Sequence, residues 1–168
     1  MKRIVLLMSF VLPVLFSGCC SVGCKASAED EAVKMIHGNR AECVIVKNGR
    51  IAVVERGRGV SPLLKIYDNN RSEMLDAAVV DKVIGRAAAF IVIAGKSKSV
   101  YGKIMSEDAM ELLKKHNIKY SCGLRVPRIL NNKRDGLCPL EDSVLGIDDP
   151  QLALKAMRKR IAELRKKK

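Results

Sequence analysis

The chain has 168 residues with a formal net charge of +13, and is 48% hydrophobic and 29% charged. That composition supports one packed domain and excludes an extended disordered chain. Aromatic residues make up only 4% and Trp is absent, which argues against base-stacking platforms and aromatic sugar-binding surfaces, so nucleic acid is not an expected partner.

Lys2 and Arg3 precede an apolar run from Ile4 to Phe16, broken only by Ser9 and Pro13. The run is too short to cross a bilayer, which takes about 20 residues, and fits the hydrophobic region of a secretory signal. Two exits compete. Ser17-Gly18-Cys19 resembles a lipoprotein box that would acylate Cys19, although Phe16 stands where Leu or Val is usual. Ala26-Ser27-Ala28 offers ordinary cleavage. Residues 1–28 are expected to be leader and linker, and the protein an exported, membrane-anchored lipoprotein. The alternative is a misassigned start codon in front of a cytoplasmic protein.

Glu29 to Ile36 reads as a short helix ended by His37-Gly38-Asn39. Cys43 to Lys47 is a strand, Asn48-Gly49 a two-residue hairpin turn, and Ile51 to Val54 the returning strand. Arg56-Gly57-Arg58-Gly59 is a flexible basic loop. Ser61 as N-cap with Pro62 at the first helical position opens a helix through Ile66. The Ala-, Val- and Ile-rich stretch 75–94 predicts a buried helix from about Asp81 to Ala94, stopped by Gly95. Val100 to Ile104 is the next strand. Ser106 caps a helix with Glu107 and Asp108 in its first turn and Lys114 and Lys115 in its last. Ile118 to Leu124 is another strand, residues 131–136 a polar loop, and Pro139 starts a short helix.

The last segment, 151–168, is expected to form a basic amphipathic helix packed on the domain at 29–150. Leu154, Met157, Ile161 and Leu164 make one apolar stripe. Residues 155–168 hold eight basic side chains against Glu163, so the basicity is local. Those charges are either a solvated outer face or an attraction to an anionic membrane surface that reinforces the leader. Cysteines give no disulfide framework. Cys19, Cys20 and Cys24 lie in the leader region, and Cys43, Cys122 and Cys138 remain, an odd number best read as buried thiols.

A hairpin followed by strand–helix–strand crossovers implies a mixed sheet covered on both faces, a three-layer α/β/α sandwich. This order resembles the cytidine-deaminase-like fold. Gly57-Arg58-Gly59-Val60-Ser61-Pro62-Leu63-Leu64, Val80 to Ala89, and Gly136-Leu137-Cys138-Pro139-Leu140-Glu141 resemble a small bacterial family of unknown function in that superfamily, over roughly residues 29–164. The resemblance implies a fold and a pocket location, not a reaction.

A zinc deaminase needs His-x-Glu or Cys-x-Glu at one helix start and Pro-Cys-x-x-Cys at the next. The two histidines, His37 and His116, are not followed by x-Glu, and no Cys-x-x-Cys exists. The expected helix starts offer Val80-Asp81-Lys82 and Ser106-Glu107-Asp108 instead, so no metal and no cofactor is implied. Two helix N-termini converging on a cleft still suit a phosphate or carboxylate. Candidate ligand-binding residues are Arg58, Gly59, Asp81, Lys82 and Ser106; candidate catalytic residues are Asp81, Lys82 and Cys138. Asp81 and Ser106 also read as plain N-caps, and Glu141 as an acid in the first turn of its own helix. Three functions follow: binding of a small nucleotide-like or anionic metabolite, a metal-independent enzyme using Asp81, Lys82 or Cys138, and an envelope-attached interaction protein with a vestigial pocket.

Overall fold

The computed structural model describes residues 26–166. The apolar run, Cys19, Cys20, Cys24 and the last two lysines lie outside the described residues.

Helix α1 (Ala28–His37) starts on a capping box in which Ser27 and Asp30 satisfy each other's backbone N–H groups. Strands β1 (Cys43–Lys47) and β2 (Arg50–Glu55) form the expected antiparallel hairpin around Asn48-Gly49, both with positive φ. Helix α2 (Ser61–Asn69) and the single turn α3 (Arg71–Met74) follow. Next come β3 (Ala78–Ile84), α4 (Arg86–Ala94), β4 (Ser99–Ser106), α5 (Glu107–Lys115) and β5 (Lys119–Val126). The chain ends with α6 (Pro139–Asp142) and α7 (Pro150–Lys166).

The sheet order is β2-β1-β3-β4-β5. β1 runs antiparallel to β2 and β3, and β3, β4 and β5 are mutually parallel. The sheet is therefore mixed, with helices on both faces. α1 covers one face, where Ala32 and Ile36 meet Val44, Val46, Ala78 and Val80. The other face carries the main core, with Leu63 and Ile66 of α2, Phe90 and Ile91 of α4 and Leu112 and Leu113 of α5. The stripe of α7 does dock: Leu154 and Met157 are fully buried in this core, and Ile161 packs against it.

One element corrects the sequence reading. Residues 78–84 are a strand, not the start of a helix, and α4 begins at Arg86. β3 is the central strand, antiparallel to β1 and parallel to β4, and helices cover both its faces, so its apolar residues form a run without alternation. Gly85 marks the strand–helix boundary.

A cleft between the glycine loop and the Cys138 turn

Asp81 and Lys82 sit within β3, so neither caps a helix nor aims at a helix N-terminus. Asp81 faces Cys43 across the β1–β3 ladder. It accepts a hydrogen bond from the Val83 amide at 2.9 Å and is 5% exposed. Burial raises its pKa to about 7, against the Val83 amide and the Cys43 thiol, which favour the charged form. Burial first, and Asp81 second, push the Cys43 thiol well above its usual range. Lys82 pairs with Glu42 at 3.0 Å. Both candidates thus face Glu42 and Cys43, the residues at the entry to β1. Ser106 is fully buried and caps α5 through the Ala109 amide, which was its plainer reading.

The start of α4 is closed from inside the chain. Glu141 Oε2 accepts from the Arg86 amide at 2.8 Å and Oε1 from the Ala87 amide at 3.0 Å. Gly85 makes room for this: a Cβ there would collide with the Glu141 carboxylate. Arg86 extends the link, donating to the Ile147 carbonyl at 2.7 Å and lying over the Phe90 ring. Glu141 stands in the first turn of its own short helix, as read from the sequence, and its carboxylate also serves the start of α4, which the sequence reading did not foresee.

Arg58, Gly59 and Cys138 are brought together. They line one cleft of about 580 Å³ with Leu130, Asn131, Asn132, Lys133, Pro139, Leu140 and Leu164. Gly57 and Gly59 take positive φ, which lets the β2–α2 loop fold over the cleft mouth. Helix α2 starts at Ser61 with Val60 at the N-cap and no side-chain cap, so the expected Ser61 cap is replaced by an open first turn beside Arg58 and Gly59. The 131–136 loop supplies the opposite wall, pinned by the Leu130–Leu137 bridge and by Asn131 Nδ2 donating to Asp135 at 2.8 Å. Asn131 Oδ1 is buried and has no protein donor.

Two side chains that line the cleft are cationic and none is acidic. Both cations favour an anion held there, through charge-assisted contacts. Leu130, Leu140 and Leu164 supply an apolar wall for a ring or aliphatic part. Asn131 and Lys133 come from a loop without a local motif, and Leu164 reads as part of the α7 stripe, so sequence reasoning assigned none of them to the site. His37 hydrogen-bonds Tyr101 at 2.7 Å and His116 caps α5; neither lines the cleft, so Cys138 has no imidazole partner there.

The starts of α2, α4 and α5 carry no imidazole or thiolate, so the donor set does not fit zinc. Among the described residues, no three His, Cys, Asp or Glu side chains group in a way that holds a metal ion.

Comparison with known proteins places this geometry in a family. A crystal structure of a DUF1893 family protein (TM1506) from Thermotoga maritima is similar in fold: TM-score 0.67 and 22% identity, over 81% of this chain and 89% of that one. RibD of Acinetobacter baumannii (form 1) gives a TM-score of 0.42 and 14% identity over 57% of this chain and 34% of that chain. A diaminohydroxyphosphoribosylaminopyrimidine deaminase/5-amino-6-(5-phosphoribosylamino)uracil reductase from Thermotoga maritima gives 0.39 and 15% over 61% and 33%. No curated protein matches the chain. Residues 31–161 match the TM1506 family, a domain of unknown function (DUF1893), and the chain belongs to that family.

Proposed function

We propose that this protein binds a small anionic, nucleotide-like metabolite in the cleft between the β2–α2 glycine loop and the Cys138 turn, on a zinc-free deaminase-like scaffold. The observation that carries the reading is the convergence of Arg58 and Lys133 on one side-chain-lined cleft with an apolar wall. The two cations favour a phosphate, and Leu130, Leu140 and Leu164 favour an apolar ring beside it. The full chain, titrated with inorganic pyrophosphate and with nucleoside monophosphates, is expected to gain about 2.7 kcal/mol of stability at 100 times the dissociation constant. Arg58→Ala and Lys133→Ala are each expected to weaken that binding about tenfold, a loss of about 1.4 kcal/mol. No shift across the panel, or a shift that both variants leave unchanged, sinks the reading.

The enzyme reading has one observation in its favour. Cys138 is half-buried in the same cleft. A ligand in the cleft should then protect Cys138 from alkylation, whereas the absence of a general base among the lining residues argues for binding over nucleophilic catalysis.

Export through Cys19 remains a proposal on the leader's pattern. It is supported by α1: cleavage after Ala28 would remove Ser27 and its capping box, at a cost of about 1 kcal/mol, whereas processing at Cys19 leaves α1 whole. In a bacterial host, metabolic palmitate labelling is expected for the wild type and lost in Cys19→Ser; an unlabelled wild-type chain refutes it.

A further inference from the structure

We propose that the ligand is a dinucleotide carrying a terminal phosphate, with one nucleotide unit in the Cys138 cleft and the other in a second subsite between α2 and α7. The inference rests on the nucleotide-binding reading above and names the ligand class more closely. A cavity of about 380 Å³ opens between the two helices, lined by Leu64, Lys65 and Asp68 of α2 and by Arg158, Ile161 and Arg165 of α7. A smaller one of about 210 Å³ lies among Ser61, Leu140, Ile161, Leu164 and Arg165. It shares Leu140 and Leu164 with the Cys138 cleft, and Ser61, Ile161 and Arg165 with the α2–α7 cavity. The three adjoin in a row along the C-terminal half of α7.

The charges of this row are not all free. Lys65 pairs with Glu55 at 2.8 Å, and Arg158 pairs with Asp68, the one acid that lines the row. Arg58, Lys133 and Arg165, in contrast, have no acidic partner among the described residues. Free cations therefore stand in both large cavities, two in the first and one in the second. The connecting cavity is lined by no acid, so an anionic chain crosses it without meeting a carboxylate.

The chemistry of the first cleft is thus repeated in the second. In the first, Arg58 and Lys133 stand beside an apolar wall of Leu130, Leu140 and Leu164. In the second, Arg165 stands beside Leu64 and Ile161. A free cation next to an apolar wall suits a phosphate with its attached nucleoside. Two such places in a row suit two linked units. Both cavities have the size, about 300–1,000 Å³, that small ligands occupy. A single nucleotide would leave Arg165 without an anion, and inorganic phosphates would leave both apolar walls uncovered.

The test is calorimetric titration of the full chain with AMP, with the dinucleotide pApA and with inorganic tripolyphosphate. Linking the two units makes the second contact intramolecular, so pApA is expected to bind at least about tenfold tighter than AMP. Arg165→Ala is expected to abolish that gain and to leave AMP binding unchanged, because Arg165 does not line the first cleft. Arg58→Ala is expected to weaken both nucleotides. If pApA binds no tighter than AMP, the second subsite is refuted while the single-nucleotide reading stands. An Arg165→Ala variant that keeps the full gain overturns the inference as well. So does tripolyphosphate binding as tightly as pApA, since charge alone would then be read. Binding of neither nucleotide overturns the underlying reading and the inference together.

Discussion

Replacing Asp81 with Asn is expected to leave stability nearly unchanged at pH 4 and to raise it by on the order of 4 kcal/mol at pH 8. Burial lifts the folded-state pKa of Asp81 from 3.8 to about 7. Between those values the unfolded chain releases the proton while the folded chain keeps it. The folded state thus binds more protons, and stability falls as pH rises through the window. Above pH 7 the carboxylate is ionised in both states and the penalty is constant. Asn keeps an amide oxygen to accept from Val83 and carries no charge to desolvate. Urea unfolding of both proteins at pH 4, 6 and 8 checks this. Parallel stability curves across that range would show that Asp81 is solvated or paired in the folded protein.

The error over Asp81 shows what the sequence hid. Alternation reveals a strand only when one face is wet. In β3, Ala78, Val79, Val80, Asp81 and Ile84 are all buried, and the run joins an equally apolar α4 with a single glycine between. The two elements read as one helix, which moved Asp81 and Lys82 to an N-terminus they do not occupy. Elements with local punctuation were legible. Asn48-Gly49 gave the hairpin, Ser106 gave the start of α5, and the spaced apolar residues of α7 gave its buried stripe.

The candidate site divides in the same way. Arg58, Gly59 and Cys138 stood out because each belongs to a local pattern, a glycine loop or a Cys-Pro helix start. Their meeting in one cleft, and the presence there of Asn131 and Lys133, follow from how the segment after β5 folds back. No spacing in the chain encodes that return. The bond from Glu141 to the start of α4 is equally non-local, since its partners lie 54 and 55 residues away.

That bond carries the second large effect. Glu141→Ala is expected to destabilise the fold by about 3 kcal/mol, because two amides at the start of α4 lose their acceptor in a dry setting. Burial raises the pKa of Glu141 despite the Ala87 and Arg86 amides that favour its charge. Its carboxylate form is therefore not cheap to hold. Glu141→Gln keeps one of the two acceptor oxygens and turns an NH2 donor towards the other amide, so it is expected to lose part of the same stability. Chemical denaturation of the two variants at pH 7 compares the loss of both acceptors with the loss of one. Gly85→Ala reaches the same contact from the other side, since its Cβ evicts the carboxylate. If the contact is one unit, the double variant Gly85→Ala/Glu141→Ala loses less than the two single losses added. Simple additivity, or a Glu141→Ala variant within about 0.5 kcal/mol of wild type, would mean that water reaches the start of α4. The α6 segment would then be free to move relative to α4, and with it the Cys138 wall of the cleft.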